Sequence, residues 1–220
     1  MVGKGTLSMT QFKTIDDLDV NGKRVLVRAD FNVPMRDGRV SDTTRIERSL
    51  PTIQDLQAKG AQVIMLSHFG RPKGQRSPEL SLKPIAQALG QAAGVEVVFG
   101  TDCIGPDAEK AIAGADPKQL ILLENLRFHS EEEKNDSDFA ARLAALADIY
   151  VNDAFSCAHR AHASTEALAR LLPAAAGRLM QSELEALGAA LGSPDRPVAA
   201  VVGGAKISTK MDVLGNLASK

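Results

Sequence analysis

The sequence is poor in sulfur and in aromatic side chains. Its 220 residues include no tryptophan, one tyrosine and two cysteines, Cys103 and Cys157. The cysteines follow no paired spacing, so we expect free thiols in a reducing compartment and no disulfide framework. No apolar run reaches the roughly 20 residues of a membrane span, and no signal-like segment follows Met1. These absences predict a cytoplasmic protein that does not enter a membrane.

The sequence also has almost no net charge. Its 26 basic and 27 acidic residues give a formal charge of −1. Such a balance creates no overall field that would attract a polyanion, so the sequence predicts neither nucleic-acid binding nor binding to a membrane surface. Any site for an anionic ligand must therefore be built locally.

Short, unbroken apolar runs recur along the chain and are typical of strands buried on both faces. They are "RVLVRAD", "AQVIMLSH", "VEVVFG", "QLILLEN", "DIYVNDA" and "PVAAVVGG". Helical patterns separate most of them; in "TTRIERSLPTIQDLQAKG", Thr44 and Glu47 have capping-box spacing, which makes Arg45 the first helical residue. The alternation predicts an α/β fold, a doubly wound parallel sheet with helices on both faces in three Rossmann-like layers.

One stretch breaks this rhythm near the end of the chain. The long Ala/Leu pattern "RLMQSELEALGAAL" is followed by "GSPDRP", which has the composition of a linker. We therefore predict an α/β domain over residues 9–178, a connecting helix and hinge over 179–197, and the first strand and helix of another domain over 198–220.

Polar and cationic residues follow the predicted strands, at the points where loops begin. They are Asp30 and Asn32, then His68 and Arg71, then Arg127 and His129, and last His159, Arg160 and His162. Because parallel strands end at one edge of a sheet, we expect these side chains to converge there, where ligands of open α/β sheets bind. Arginine forks suit phosphate and carboxylate groups. The sequence predicts a site for a small, multiply charged anion.

Each loop also has a purely structural interpretation. Asp30 and Asn32 could simply close a turn. Arg127 could be a solvated surface residue, and we interpret the acidic run "SEEEKND" behind it as a solvated helix approach without a role. His159 and His162 are three residues apart, but no HExxH pattern or cysteine pair supports a zinc site, and we assign no metal ligand.

The segment "VVGGAKISTK" places two glycines, Gly203 and Gly204, after an apolar run, followed by Lys206 and Lys210. The P-loop spacing GxxxxGK[ST] is absent. Paired glycines allow the backbone to approach a phosphate closely, and lysines four residues apart share one side of a helix. A phosphate-binding turn and an ordinary tight strand-to-helix turn both fit this segment.

Six motifs occur in a fixed order between the predicted α/β units. They are "RADFNVP", "TTRI", "LSHFGRP", "ENLRFH", "NDAFSCAHRAHAS" and "VVGGAKISTK". Together they resemble phosphoglycerate kinase from about Phe12 to the last residue. The resemblance implies reversible phosphoryl transfer between 1,3-bisphosphoglycerate with ADP and 3-phosphoglycerate with ATP, in the cleft of a two-domain kinase of glycolysis.

The resemblance also implies roles for individual residues. The substrate-binding set would be Asp30, Asn32, Arg45, His68, Arg71, Arg127 and Arg160. The catalytic residues would be Arg45 and Lys206, which would contact the phosphoryl group in transfer. The nucleotide-binding set would be Gly203, Gly204, Lys206 and Lys210. Phosphoryl transfer requires positioning and charge neutralisation more than a nucleophile, which suits a site of this composition.

The resemblance covers only part of a kinase. The family's second domain would continue beyond Lys220 and supply the adenine pocket and the magnesium carboxylate for ATP or ADP with Mg²⁺. We therefore expect glycerate binding but no turnover by this chain alone, and a monomeric parent enzyme. Two alternatives stay open: a standalone, non-catalytic phosphoglycerate-binding module, and an unrelated α/β isomerase or hydrolase that uses His159 or His162 as an acid or base.

Overall fold

The fold is built on a six-stranded parallel sheet. The computed structural model describes residues 12–191 together with Ala199 and Gly215. In chain order the strands of this sheet are β1 (Arg24–Arg28), β4 (Gln62–Leu66), β5 (Val97–Gly100), β6 (Leu120–Leu123), β7 (Ile149–Asn152) and β8 (Ala174–Ala176). They lie in the order β5-β6-β4-β1-β7-β8. Five of these strands coincide with predicted apolar runs.

β1 lies in the middle of the sheet and fixes its register. Val25 of β1 pairs with Val63 of β4 on one side and with Ile149 of β7 on the other, all in parallel. Four of the five β1 residues are buried. Unbroken apolar runs such as this one belong to strands covered on both faces, because neither side of the strand meets water.

Helices cover the sheet on both faces. On one face they are α1 (Thr44–Ala58) and α2 (Lys83–Ala93), and on the other they are α3 (Gly105–Gly114), α5 (Ser137–Ala144) and α6 (Leu168–Leu171). Two further helices are α4 (Ser130–Glu133) and α7 (Arg178–Leu191). Within the part of the chain that the structure describes, no helix combines the length and apolar character needed to cross a bilayer.

Alternate residues of β1 serve two separate cores. Val25 and Val27 pack in one core with residues of α1 and α2, such as Ile53. Leu26 packs in the other core with residues of α3, α5 and α6, such as Phe139. Successive side chains of a strand point to opposite faces, so one strand contributes to both layers. The predicted α/β sheet with helices on both faces is confirmed.

The start of α1 differs from the prediction by one residue. The helix begins at Thr44, and its N-cap is Thr43, whose Oγ1 donates to Glu47 Oε1 over 2.6 Å. Asp42 Oδ1 accepts from the Thr44 amide at 2.8 Å. Thr44 is therefore not the cap, and Arg45 is the second helical residue. Three adjacent residues here can each accept or donate at a helix start, which makes the boundary ambiguous from sequence.

Two features were not predicted. A short antiparallel hairpin, β2 (Met35–Arg36) and β3 (Arg39–Val40), turns through Asp37 and Gly38, which both have positive φ. The Asp-Gly pair was a readable signal for this turn. Strand β8 consists of three alanines, which have little β-propensity, so backbone pairing with β7 and with Thr14 makes it a strand.

Two compact units divide the chain. One runs from Thr10 to Gln181; the other comprises residues 1–9 and 182–220, of which only residues 182–191, 199 and 215 are described. The predicted strand "PVAAVVGG" lies outside the described residues apart from Ala199. The boundaries at 178, 197 and 198 stay predictions.

A buried carboxylate holds the first turn of α7. Asp153 is 0% exposed, and its Oδ1 accepts from the amides of Leu179 at 2.9 Å and Met180 at 3.2 Å. Burial raises the pKa of Asp153. A Cβ at Gly177 would overlap the Asp153 carboxylate, so this position has no room for a side chain.

Candidate substrate site

The candidate site lies at the carboxyl edge of the sheet, where the strands end. From β1 the chain adds β4, β5 and β6 on one side and later β7 and β8 on the other. The loops after β4 and β7 therefore both lie beside the loop after β1. Such a reversal of strand order leaves a crevice at the carboxyl ends, which is the usual ligand position in open α/β sheets.

Asp30 is the polar centre of the loop after β1. Its Oδ2 accepts from Ser156 Oγ at 2.5 Å and forms an ion pair with Arg45 Nη1, while Oδ1 accepts from the Asn32 amide at 3.1 Å. Burial by itself would raise the pKa of Asp30, but these hydrogen bonds and the charge of Arg45 lower it below its ordinary value. Asp30 is therefore an anion held by its own loop, by α1 and by the turn after β7.

Asn32 joins the first loop to the second. Its Oδ1 accepts from the Gly70 amide at 3.0 Å. The hydrogen bond from the Asn32 amide to Asp30 is an Asx turn, so the structural interpretation of this pair holds as well. Asn32 itself remains exposed, which leaves it accessible to a ligand.

His68 is buried at the end of β4 with a cation against its ring. It is 4% exposed, and its Nδ1 lies 3.0 Å from Nη2 of Arg28. Burial and the charges of Arg28 and Arg127 lower the pKa of His68 to about 3, although Asp30 opposes the shift. His68 is therefore neutral at physiological pH.

Arg127 is buried, contrary to the interpretation as a solvated residue. It is 6% exposed, and its Nη1 donates to the Gly70 carbonyl at 2.8 Å. Its Nε lies 3.2 Å from Glu133 Oε1 but makes no hydrogen bond with any described residue. Burial lowers the pKa of Arg127, and Arg160 and Arg28 act in the same direction. A buried guanidinium beside other cations is suited to receive an anion.

The remaining predicted substrate residues are more accessible. The Arg45 side chain is 49% exposed. Arg71 follows Gly70 directly and is exposed, and Arg160 is partly buried. The charge of Arg160 acts on both His68 and Arg127. We call Arg45, His68, Arg127 and Arg160, together with Asp30, the basic patch.

Cys157 lies at this patch. It is a free thiol and 4% exposed. Its Sγ, a carboxylate oxygen of Asp30 and a ring nitrogen of His68 all lie within 4.8 Å of one another. The sequence predicts only a reduced thiol at Cys157, because a lone cysteine carries no signal of its surroundings.

The other three histidines have different partners from His68, although the charges of Arg127 and Arg160 also act on His162. His129 Nε2 lies 2.7 Å from Asp102 Oδ1, and the other oxygen of that carboxylate pairs with Arg76. His159 is exposed, while His162 Nδ1 lies 3.9 Å from Glu132 Oε1. Within the described residues, the side chains drawn together around Asp30 thus include one histidine, His68.

Sequence reasoning missed the residues behind the patch. Glu132 is 0% exposed, so the interpretation of "SEEEKND" as a wholly solvated run is wrong at this position. Its carboxylate binds Ser164, which in turn accepts from Arg28. Three acidic residues in succession are typical of an exposed surface. Only the packing of α4 in the folded chain shows that Glu132 is the buried one.

The predicted nucleotide residues Gly203, Gly204, Lys206 and Lys210 lie outside the described residues. Their roles therefore stay predictions, as does the catalytic role of Lys206.

Comparisons with known proteins agree with the motifs. The family model described as phosphoglycerate kinase matches residues 15–220. The chain is 64% identical over 209 residues to the phosphoglycerate kinase of Granulibacter bethesdensis and 63% identical to that of Rhodospirillum centenum, covering 95% of this chain and 53% of each relative.

Solved structures agree with the fold. A phosphoglycerate kinase from Coxiella burnetii matches with a TM-score of 0.84 at 43% identity, over 95% of this chain and 52% of that one. The enzyme from Pyrococcus horikoshii matches with a TM-score of 0.83 at 33% identity, over 94% and 52% of the two chains. This chain thus spans about half the length of the curated relatives it matches, and it belongs to the phosphoglycerate kinase family.

Proposed function

We propose that this chain is the glycerate-binding part of a phosphoglycerate kinase, which transfers a phosphoryl group reversibly between 1,3-bisphosphoglycerate with ADP and 3-phosphoglycerate with ATP. The observation that carries the proposal is the convergence of the basic patch at the carboxyl edge of the sheet, in a chain whose formal net charge is only −1. Membership of the family removes the alternative of an unrelated isomerase or hydrolase.

The patch suits the two charged ends of 3-phosphoglycerate. Arg127 and Arg160 offer guanidinium forks, which bind phosphate and carboxylate oxygens in pairs. Neutral His68 adds a hydrogen-bond donor without a further charge. Ionised Asp30 would accept from the hydroxyl group, and Asn32 and Arg71 would complete the contacts from the rim of the crevice.

Arg45 is the residue suited to the transfer itself. Its guanidinium pairs with Asp30, and about half of its side chain stays exposed, at 49%. An exposed cation beside the substrate can neutralise charge that develops on the phosphoryl oxygens in the transition state. Such an interaction raises the turnover number more than it raises affinity for the ground state.

The nucleotide half of the reaction belongs to the whole protein. We propose that ATP or ADP with Mg²⁺ binds a second domain, with Gly203, Gly204 and Lys210 near the phosphates and Lys206 near the transferring group. Closure about the segment 193–197 would exclude water from the acyl phosphate. We further propose a monomeric, cytoplasmic enzyme that binds neither nucleic acid nor membranes.

Calorimetric titration with 3-phosphoglycerate tests the glycerate site in this chain. We expect saturable binding that inorganic sulfate at equal concentration does not reproduce. Arg127→Met should weaken this binding at least tenfold, because a hydrogen bond to a charged group contributes about 1.5 to 3 kcal/mol. The control Arg170→Met removes an equal charge from a side chain that is 78% exposed, and it should leave affinity unchanged.

Absence of binding by a folded chain, or equal losses in both variants, would contradict the glycerate site. A turnover assay distinguishes the kinase from the remaining alternative, the standalone binding module. Binding with turnover in the complete natural protein supports the kinase, whereas binding without any turnover in that protein supports the standalone module.

A further inference from the structure

A chain of buried polar groups runs behind the basic patch. Arg28 Nη2 contacts His68 Nδ1 at 3.0 Å, and Arg28 Nε donates to Ser164 Oγ at 2.9 Å. Ser164 Oγ donates to Glu132 Oε1 at 2.6 Å. Arg28, Ser164 and Glu132 are 1%, 0% and 0% exposed. All three groups are therefore shielded from solvent, and Arg28 is the one that contacts His68.

The chain balances two buried charges without direct contact between them. Arg28 and Glu132 both bind Ser164, which lies in a π-helical turn, Ala163–Ala167. The amide of Ser164 also donates to Glu132 at 2.9 Å, and its carbonyl accepts from Tyr150 at 2.7 Å. Arg28 further donates to the Ala29 carbonyl. Each partner is thus held from at least two sides, which fixes the guanidinium plane.

The contact with Arg28 determines the hydrogen on the His68 ring. A guanidinium has five donors and no acceptor. His68 Nδ1 must therefore accept, and a neutral ring then carries its hydrogen on Nε2. The remaining nitrogen of His68 is a hydrogen-bond donor by necessity.

We propose that Arg28 is a positioning residue that fixes His68 as its neutral Nε2–H tautomer, and that Ser164 and Glu132 hold Arg28 in place for this purpose. The charged and titratable groups that face His68 are Arg28 from β1, Asp30 from the loop after β1, Arg127 after β6, and Cys157 and Arg160 after β7. Three of these five are cations. They oppose protonation of the ring, and Arg28 alone also dictates which nitrogen is protonated.

The consequence for ligand binding rests on the proposed function. A fixed Nε2–H gives the patch a donor that does not change between about pH 5 and pH 8, the range in which histidine ordinarily titrates. The pKa of about 3 agrees with this constancy. The arginines supply the positive charge, and His68 supplies a hydrogen-bond donor of fixed orientation.

Nitrogen NMR of the ligand-free chain of 220 residues tests the tautomer directly. Ring nitrogens of ¹⁵N-labelled histidines distinguish the protonated from the unprotonated position, and His68→Asn identifies the signals of His68 among the four histidines. We expect one hydrogen, on Nε2, from about pH 5 to about pH 8. A wild-type chain with hydrogen on Nδ1, or with a ring that titrates in this range, would overturn the proposal without any variant.

Variants then test the cause. Arg28→Met should give a mixture of tautomers, and it should raise the pKa of the His68 ring, although burial and the charge of Arg127 still hold that pKa below its ordinary value. This single variant leaves Glu132 buried without its counter-charge and could therefore fail to fold. The double variant Arg28→Met/Glu132→Gln removes both charges and is used in that case. Arg24→Met is the matched control, since it removes an arginine from the other end of β1 and should leave His68 unchanged. Retention of Nε2–H in the folded double variant would overturn the proposal.

Titration of the same variants with 3-phosphoglycerate separates this inference from the proposed function. We expect about a tenfold loss of affinity in the double variant and none in Arg24→Met, the size of one hydrogen bond to a charged ligand. A wild-type chain that binds no 3-phosphoglycerate yet shows the Arg28-dependent tautomer overturns the glycerate site and leaves the positioning role standing. Unchanged affinity together with a lost tautomer overturns the role of His68 as a directed donor.

Discussion

The two ends of β1 carry the same residue type in opposite surroundings. Arg24, at the amino end, has a side chain 42% exposed and pairs with Asp148 over 2.8 Å. Arg28, at the carboxyl end, is 1% exposed and reaches a carboxylate only through Ser164. The first arginine is an ordinary surface ion pair, whereas the second is a buried charge held by several partners.

This difference extends to the two edges of the sheet. At the amino edge, Gln62 Nε2 reaches the Ile112 carbonyl at the end of α3 over a long 3.4 Å. At the carboxyl edge, Asp153, Glu132 and His68 are all buried and hydrogen-bonded. Burying polar groups costs free energy unless each finds a partner. The carboxyl edge therefore tolerates few changes, and the following experiments test that contrast.

The largest expected effect is the loss of Arg28. Arg28→Met should lower the free energy of unfolding by about 3 to 5 kcal/mol, because it leaves Glu132 as a buried, uncompensated charge. Arg24→Met should lower it by less than about 1 kcal/mol, as for exposed pairs. Urea denaturation of both variants measures the difference. Equal losses would show that the two ends of β1 are energetically alike.

The second largest difference between the two edges is expected when a glycine at each edge is replaced by alanine, which adds one methyl group. Gly177→Ala at the carboxyl edge should destabilise the chain by about 3 kcal/mol, since the new Cβ displaces the Asp153 carboxylate from the start of α7. Gly114→Ala, at the end of α3, meets no atom within 4 Å. It should be neutral or stabilise by about 0.5 to 1 kcal/mol. Thermal unfolding of the two variants compares them; unchanged stability in Gly177→Ala would mean that Asp153 can move without cost.

The buried histidine should give the carboxyl edge a pH dependence. Because the folded pKa of His68 is about 3 and its ordinary value is 6.5, the unfolded chain binds the proton more readily between these values. Stability from this group is complete above about pH 6.5 and is lost as the pH falls towards 3, by about 2 kcal/mol between pH 7 and pH 4.5.

Comparison with variants isolates that contribution from the acids that titrate nearby. His68→Asn keeps an acceptor near the Nδ1 position for Arg28 but does not titrate, so urea unfolding across this range should show a shallower pH slope. His159→Asn, at an exposed position, should keep the wild-type slope. An identical slope in wild type and His68→Asn would contradict the buried neutral histidine.

The smallest expected loss of stability is at the amino edge of the sheet. Asp148→Asn should lower the free energy of unfolding by less than about 1 kcal/mol, and this loss should vanish in about 1 M NaCl, because salt screens exposed pairs. The Glu132→Gln variant should keep its larger loss at the same salt concentration, because its partners are buried. Equal salt sensitivity would remove the distinction between the edges.

Local sequence patterns predicted most of the sheet. Runs such as "RVLVRAD" and "QLILLEN" combine β-branched or leucine residues with clear turn residues, and each became a strand. The alanines of β8 have no such pattern, and the hairpin at Asp37 and Gly38 is absent from the prediction although its Asp-Gly pair is a turn signal. Sequence patterns detect elements whose own residues favour them, whereas β8 depends on backbone pairing with β7 and Thr14.

The residues of the candidate site could be predicted where they directly follow a strand, because the ends of the strands could be predicted. The position after a predicted strand, together with the common edge at which parallel strands end, predicts site roles for Asp30, Asn32, His68, Arg127 and Arg160. Arg28 was invisible because it lies within an apolar strand, and Glu132 because its acidic neighbours suggested a solvated surface. Nothing in the local sequence around either residue distinguishes it from a charged residue on the surface.

The sequence by itself determined the alternation of strands and helices, the family and the residues that follow the strand ends, because periodicity and motif order are properties of the chain. Tertiary structure alone decided which charges are buried and how they are paired. Burial depends on which elements pack together, and Arg28, Ser164 and Glu132 meet across more than a hundred residues of chain between β1 and the helical turns after β6 and β7. No local pattern encodes the dielectric environment that results.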